Sequence, residues 1–203
     1  MDSILTVTTA ATTQDLTIAA TVKIELGITG TSEDAKLATW IKQASAMISS
    51  YCGRVFGAET VSETFWLDRA VEKLILERFP VSALASVTED GVVLTTADYQ
   101  SDPSNGMLGR LSSDVLTCWS ARKIIIAYTG GFELLNGLPH DVERACISLV
   151  RQLRSQATRD PLAKRIEIPD VRTVDYWVGK VGESGSMPPD VLDLLAPYVN
   201  VRI

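Results

Sequence analysis

The sequence predicts an α+β fold: a small helical bundle with an inserted, mainly antiparallel β block, plus a C-terminal helix and an extended tail. Three observations carry this reading. Apolar residues recur at helical spacing over residues 31–52 and again over 139–158. Between them, residues 57–130 break into short runs rich in Val, Ile and aromatics, separated by turn signals. Helices that flank a block of strands in sequence must pack on each other, which leaves the strands to project as an insertion. The domain reading is an N-terminal arm over 1–15, the bundle with its β insertion over 16–158, and a C-terminal extension over 159–203.

Residues 1–15 are small and Thr-rich and read as an extended arm or a loose lead-in. Leu16, Ala19, Ala20, Ile24 and Leu26 suit a short amphipathic helix over 16–26, with Gly27 at its C′ position. Thr31 or Ser32 can cap the next helix, and Glu33 and Asp34 favour the positive end of its dipole. Leu37, Ile41, Ala44, Ile48 and Tyr51 then step by four and three, Trp40 and Met47 widen the stripe, and Gly53 ends it.

Strands are expected at 61–67, 73–76, 86–88, 92–94, 98–100, 106–111 and 123–128. Phe79-Pro80, Glu89-Asp90-Gly91, the Asp102 to Gly106 stretch and Gly130-Gly131 are the turns between and after them. Pro139 and Asp141 open a helix whose apolar stripe is Val142, Ala145, Cys146, Leu149, Leu153 and Ala157. Residues 159–186 are irregular, with a strand at 173–178 and a Gly/Ser joint at 182–186. Pro188 to Ala196 makes a short closing helix, Pro197 ends it, and 198–203 is an apolar extended tail.

Composition narrows the function. The 203 residues are 46% hydrophobic and 22% charged, the balance of an ordinary folded protein. A net charge of −6 argues against a general nucleic-acid coat, which needs clustered cations. Three cysteines without a CxxC and a single histidine argue against zinc and against a disulfide framework. No apolar run approaches the roughly 20 residues that span a bilayer. The first residues, Met1 to Thr13, lack a basic region followed by an apolar stretch, so they do not read as a secretion signal.

The chain offers no catalytic, metal or cofactor-binding constellation. Gly130-Gly131 lacks the context of a phosphate-binding loop and reads as a turn. His140 sits at a helix start with no Ser or Cys beside it to activate. Cys52 and Cys146 fall on or beside helix stripes and read as small buried hydrophobes. Asp190 and Asp193 lie where carboxylates complement a helix dipole.

Two features stand out instead. From His140 to Arg165 six basic residues face three acids, a net of +3, so the rest of the chain carries −9. Arg144, Arg151, Arg154 and Arg159 are either a solvated face or a docking or channel-facing surface in an assembly. The apolar tail, with Leu194, Leu195, Tyr198, Val199, Val201 and Ile203, either folds back on its own core or docks on another chain.

Several stretches share one resemblance. Ser50-Tyr51-Cys52-Gly53-Arg54-Val55-Phe56, closing the second helix, resembles a TGRxF segment, with Cys52 where Thr is usual. Arg78-Phe79-Pro80-Val81-Ser82-Ala83-Leu84-Ala85-Ser86-Val87 is similar to PPVxSVxSV. Tyr99, followed by Gly109-Arg110, matches a Y…GR segment. Ile124 to Phe132 and Leu138 to Val150 match VxVxYxAGY…LPxxIxxAIxxLV, and Leu194 to Ile203 is close to LLAPYRVxRF. In this order they resemble the head–tail connector, or head-completion, proteins of tailed double-stranded DNA phages and gene transfer agents. The resemblance covers residues 16–158 and 190–203.

That resemblance implies a helical bundle with a β insertion and no enzymatic activity or cofactor. It implies a homo-oligomeric ring, usually a dodecamer, docked beneath the portal protein in the virion neck. The ring extends the channel through which genomic DNA passes without sequence-specific binding, and presents a surface to the next neck, stopper or tail protein, with no membrane involved. A net negative subunit suits such a channel, because like charge keeps DNA from sticking. A small DNA-packaging or DNA-binding factor is the alternative, and it should carry a more basic recognition helix than residues 140–165 provide. A small enzyme is disfavoured by the lack of a P-loop, metal cluster or nucleophile motif.

Overall fold

The computed structural model describes residues 2–134, 136–157, 165–168, 172–175 and 187–200, with 165–168 and 172–175 as backbone. In chain order the elements are β1 (Asp2–Thr9), α1 (Ala19–Leu26), α2 (Asp34–Cys52), β2 (Glu59–Trp66), β3 (Lys73–Ile75) and β4 (Val81–Glu89). They continue with β5 (Val92–Val93), β6 (Tyr99–Asp102), β7 (Met107–Ser112), β8 (Val115–Thr117), β9 (Lys123–Gly130) and α3 (His140–Ala157). Then come β10 (Arg165–Ile168), β11 (Arg172–Asp175), α4 (Pro189–Leu195) and a 3-10 turn, Ala196–Tyr198. The fold is α+β. The chain forms two units: residues 1–14 with 54–137, which hold β1 to β9, and residues 15–53 with 138–203, which hold the helices.

In the helical unit, α2 and α3 pack together, α1 leans on both, and α4 lies on α3. Leu37, Ile41, Ile48, Val142, Leu149 and Val150 are buried at the contact, as their spacing requires. Leu153 is only half-buried and Ala157 is exposed, so the apolar stripe of α3 runs out a turn before its end. The α1 stripe is also shifted. Leu16 is buried before the helix begins, Val22 takes the core position, and Ile24 is 81% exposed. The cause is Ile18, whose extended backbone delays the helix to Ala19 and changes its phase.

Gly27 and Gly53 end α1 and α2 in the left-handed conformation that glycine alone adopts freely. The start of α2 departs from expectation. Thr31 and Ser32 do not cap it; Glu33 occupies the cap position without a side-chain bond to the backbone. Ion pairs fix this end instead: Lys23 of α1 holds Asp34, and Arg154 of α3 holds Glu33.

The β unit contains two sheets in which every strand pair is antiparallel. The first has the order β1-β2-β9-β4-β5. The second is built on β7, with β6 along one edge and β3 then β8 along the other. Inward residues alternate along β2, so Val61 and Phe65 join Leu74, Leu76, Val87, Leu108, Ile124, Ile126 and Tyr128 in one core. Trp119 is fully buried there and donates its indole N–H to the Leu108 carbonyl at 3.1 Å.

Three details differ from the sequence reading. Residues 2–9, read as an arm or lead-in, are a strand paired with β2 from Asp2↔Trp66 to Val7↔Val61. β8 was not expected; Ser113 and Asp114 form its two-residue hairpin with φ of 51° and 63°, without the Gly or Asn that usually marks such a turn. Gly130 is the last residue of β9 rather than part of a turn, and a side chain there would collide with the Arg78 carbonyl. Gly131, at φ 114°, lies against the Gly57 carbonyl. The pair permits close backbone approach. In the C-terminal part, β10 and β11 form an antiparallel hairpin. β11 covers Arg172–Asp175, whereas the expected strand reached Val178; positions 176–178 lie outside the described residues.

Candidate functional site

α3 has an inward and an outward face, with the nearly buried Ile147 at the floor of the outward one. Val142, Ala145, Cys146, Leu149 and Val150 turn inward, while His140, Arg144 and Arg151 turn out, on the i, i+4, i+11 face. With Thr21 and Glu25 of α1 this face lines an open groove of about 320 Å³ that also contains Glu143 and Ser148. The groove is of mixed charge, less basic than composition alone suggested. The side chain of His140 is 99% exposed. Glu143 accepts a hydrogen bond from the Thr17 hydroxyl at 3.2 Å, which joins α3 to the segment before α1.

The four arginines singled out in the sequence have different situations. Arg144 and Arg151 are exposed on the groove. Arg154 donates Nε and Nη2 to the two Glu33 oxygens at 2.9 and 3.2 Å. This hydrogen-bonded guanidinium holds the Glu33 carboxyl below its usual range. Arg154 is thus a tie within the helical unit rather than a free cation for a partner. Arg159 lies outside the described residues.

The C-terminal segment is folded in through Asn200. Val191 and Leu195 are fully buried and Met187 nearly so, on the α4 face against α3. Asn200 donates its backbone N–H to the Cys52 carbonyl at 2.8 Å, at the end of α2. Leu195 therefore belongs to the core of its own unit and is not available to a partner. Leu194, Tyr198 and Val199 are half-buried. Val201 and Ile203 lie outside the described residues.

Sequence reasoning missed a buried polar network in the β unit. Glu63, 1% exposed, accepts from Tyr128 Oη at 2.7 Å and from the Glu77 backbone N–H at 3.1 Å. Arg78 donates to Glu59 at 3.1 Å and to Glu77 at 3.0 Å. Burial pushes the Glu63 carboxyl above its ordinary range, and burial also pushes the Tyr128 hydroxyl up. The signal was present: Glu59 and Glu63 occupy the same inward period as Val61 and Phe65. These charges bond to groups of the β unit, Glu63 and Glu59 from β2 to Tyr128 of β9 and to the Glu77-Arg78 link between β3 and β4, so the network positions strands.

Arg54 follows the same logic. Its guanidinium lies over the rings of Phe79, Phe56 and Phe132 at 4.2, 5.2 and 5.6 Å and donates to the Phe79 carbonyl. The Gly53-Arg54-Val55-Phe56 segment is thus a structural clamp. Cys52 and Cys146 are buried and Cys118 is exposed. Among the described residues no group of three His, Cys, Asp or Glu is placed to hold a metal, and no helix is long and apolar enough to cross a membrane.

A mixed-charge helix groove and a half-buried C-terminal face, beside charges paired within each unit, are what this α+β fold presents. The chain belongs to the head completion protein family, whose model matches residues 15–160. Its fold is similar to a chain in the neck of an empty gene transfer agent particle computed with C6 symmetry. The two share 20% identity and a TM-score of 0.59, over 98% of this chain and 97% of that one. A chain in the neck of the native particle, computed with C12 symmetry, gives 18% and 0.59 over the same shares. One from the virion of the native particle gives 21% and 0.56, again over 98% and 97%. No curated protein sequence matches the chain.

Proposed function

We infer that this chain is a structural head–tail connector of the virion neck, which assembles as a ring of twelve beneath the portal and extends the DNA channel toward the next neck or tail protein. The observation that carries the reading is its membership of the head completion family over residues 15–160, together with a fold shared along 98% of the chain with neck subunits. The surfaces fit the role. Arg144 and Arg151 supply an exposed cationic pair for a neighbour or for passing DNA, set among acids that keep the groove from gripping phosphate tightly. Leu194, Tyr198 and Val199, continuing into Val201 and Ile203, supply the face toward the portal.

The test is reconstitution. Purified chain is mixed with the portal protein of its own virus and examined by sedimentation and electron microscopy. A ring of twelve on the portal is expected. A chain that stays monomeric with and without portal, or that instead shifts duplex DNA tightly at physiological salt, overturns the reading in favour of a DNA-binding factor. Truncation of residues 201–203 tests the docking face without touching the buried Val191 and Leu195. Portal binding should weaken while the melting temperature holds.

A further inference from the structure

β1 ends the five-stranded sheet, and its outer edge has no partner strand among the described residues. Proteins ordinarily blunt such an edge with charge, proline or a bulge. β1 carries one charge, Asp2 at its start, and no proline, and residues 2–7 run in unbroken register with β2 before a shift between Val7 and Thr9. Ile4 is 59% exposed and Val7 42%.

The opposite border of the same sheet is complementary. β5 covers only Thr88 and Glu89 of β4. Val81 donates its N–H to the Pro103 carbonyl and Val87 accepts from the Leu94 N–H; between them no strand among the described residues pairs with 82–86 on the side away from β9, and the register with β9 shifts between Val81 and Ala83 and between Leu84 and Ser86. Along it lies a cleft of about 130 Å³, with Val81, Leu84 and Leu108 on its apolar side and Ser82, Ser101 and Asp102 on its polar side. Strand direction agrees as well. β1, β2, β9 and β4 alternate, so β4 runs opposite to β1. A second copy, rotated about an axis along the strands, brings its β1 antiparallel to this β4 and continues the alternation.

We propose that β1 of one subunit adds as a strand to the 82–86 edge of β4 in its neighbour, with Val7, on the same face of the strand as Leu5, seated in the cleft. This rests on the ring reading above and names the contact that closes the ring. Main-chain hydrogen bonds hold the strands, and the cleft selects the register. The two patches differ, so the contact is head-to-tail and closes only through rotation. Four strands at ~4.8 Å spacing contribute roughly 19 Å of sheet per subunit, and twelve subunits close a belt about 70 Å across. Such a belt leaves room for a duplex in its lumen.

The experiment is a cysteine panel in the full chain with Cys118→Ser. Ser3→Cys, Thr6→Cys or Thr8→Cys on β1 is combined with Ala83→Cys or Ala85→Cys on β4; all five positions are exposed. After mild oxidation, at least one pair should give a ladder of dimers, trimers and higher multimers, and the single cysteines should not. Dimers from a β1 cysteine alone would mean β1 pairs with itself and would overturn the proposal. Rings seen by sedimentation with no ladder from any pair would overturn it while leaving the ring reading intact. A chain that is monomeric with and without portal and gives no ladder removes both. Val7→Lys is the second arm: loss of the ring at an unchanged melting temperature is expected, and rings formed as by the wild type count against the proposal.

Discussion

Glu63 and Leu149 show how differently two buried side chains act on stability. Leu149 is 1% exposed between α2 and α3, so Leu149→Ala leaves a cavity. Its unfolding free energy, read by urea titration, should fall by about 2–5 kcal/mol. Glu63 acts through protons. Burial comes first in raising its carboxyl above the ordinary value of 4.5, outweighing the bond from Tyr128 that favours the charged form. The folded protein therefore holds this proton more tightly than the unfolded chain does. The stability it contributes is full below the unfolded value and is lost as pH rises through the raised folded value. Melting curves across that range should show a fall with rising pH that Glu63→Gln flattens; identical slopes for the two proteins would refute the assignment. Gly130→Ala should lower the melting temperature sharply, because the added carbon meets the Arg78 carbonyl. The leucine was legible from helical period. The inward period of β2 marks the place of Glu63, but its partners Tyr128 and Glu77, like the strand approach at Gly130, lie far off in sequence and were not legible.

α4 illustrates what a short element contributes when it is packed rather than free. Its seven residues could not hold a helix alone, and burial of Val191 and Leu195 against α3 stabilises it. Val191→Asp should therefore reduce the thermal stability of the isolated chain. Unchanged melting would return α4 to the role of a partner-docking segment. The long helices were read within a few residues, because apolar period marks both and Gly53 stops α2. β1 and β8 escaped for opposite reasons. β1 has the β-branched composition of a strand but no turn signal to bound it, and Ser113-Asp114 makes a hairpin without glycine. The basic character of α3 was legible too, yet its division was not: only tertiary structure shows that Arg154 is spent on Glu33 while Arg144 and Arg151 stay open.

At the scale of the whole molecule, the double reversal Arg144→Glu with Arg151→Glu should leave the monomer folded, since both positions are exposed. It should weaken ring formation or DNA retention in particles, measured by sedimentation and by the fraction of filled heads. Full infectivity of the double reversal would remove these residues from the assembly.

The three cysteines are distributed so that one is open in the β unit and two time the opening of the helical unit. Cys118 is exposed in the β unit, while Cys52 and Cys146 are sealed in the helical unit. Burial pushes the Cys146 thiol up to about 12, so in place it is a poor nucleophile as well as a shielded one. A thiol-reactive dye should count one site at once and the other two only as the helices part. The delay between the first and later counts measures how often the helical unit opens, in a protein never exposed to denaturant. Docking on a portal should lengthen that delay.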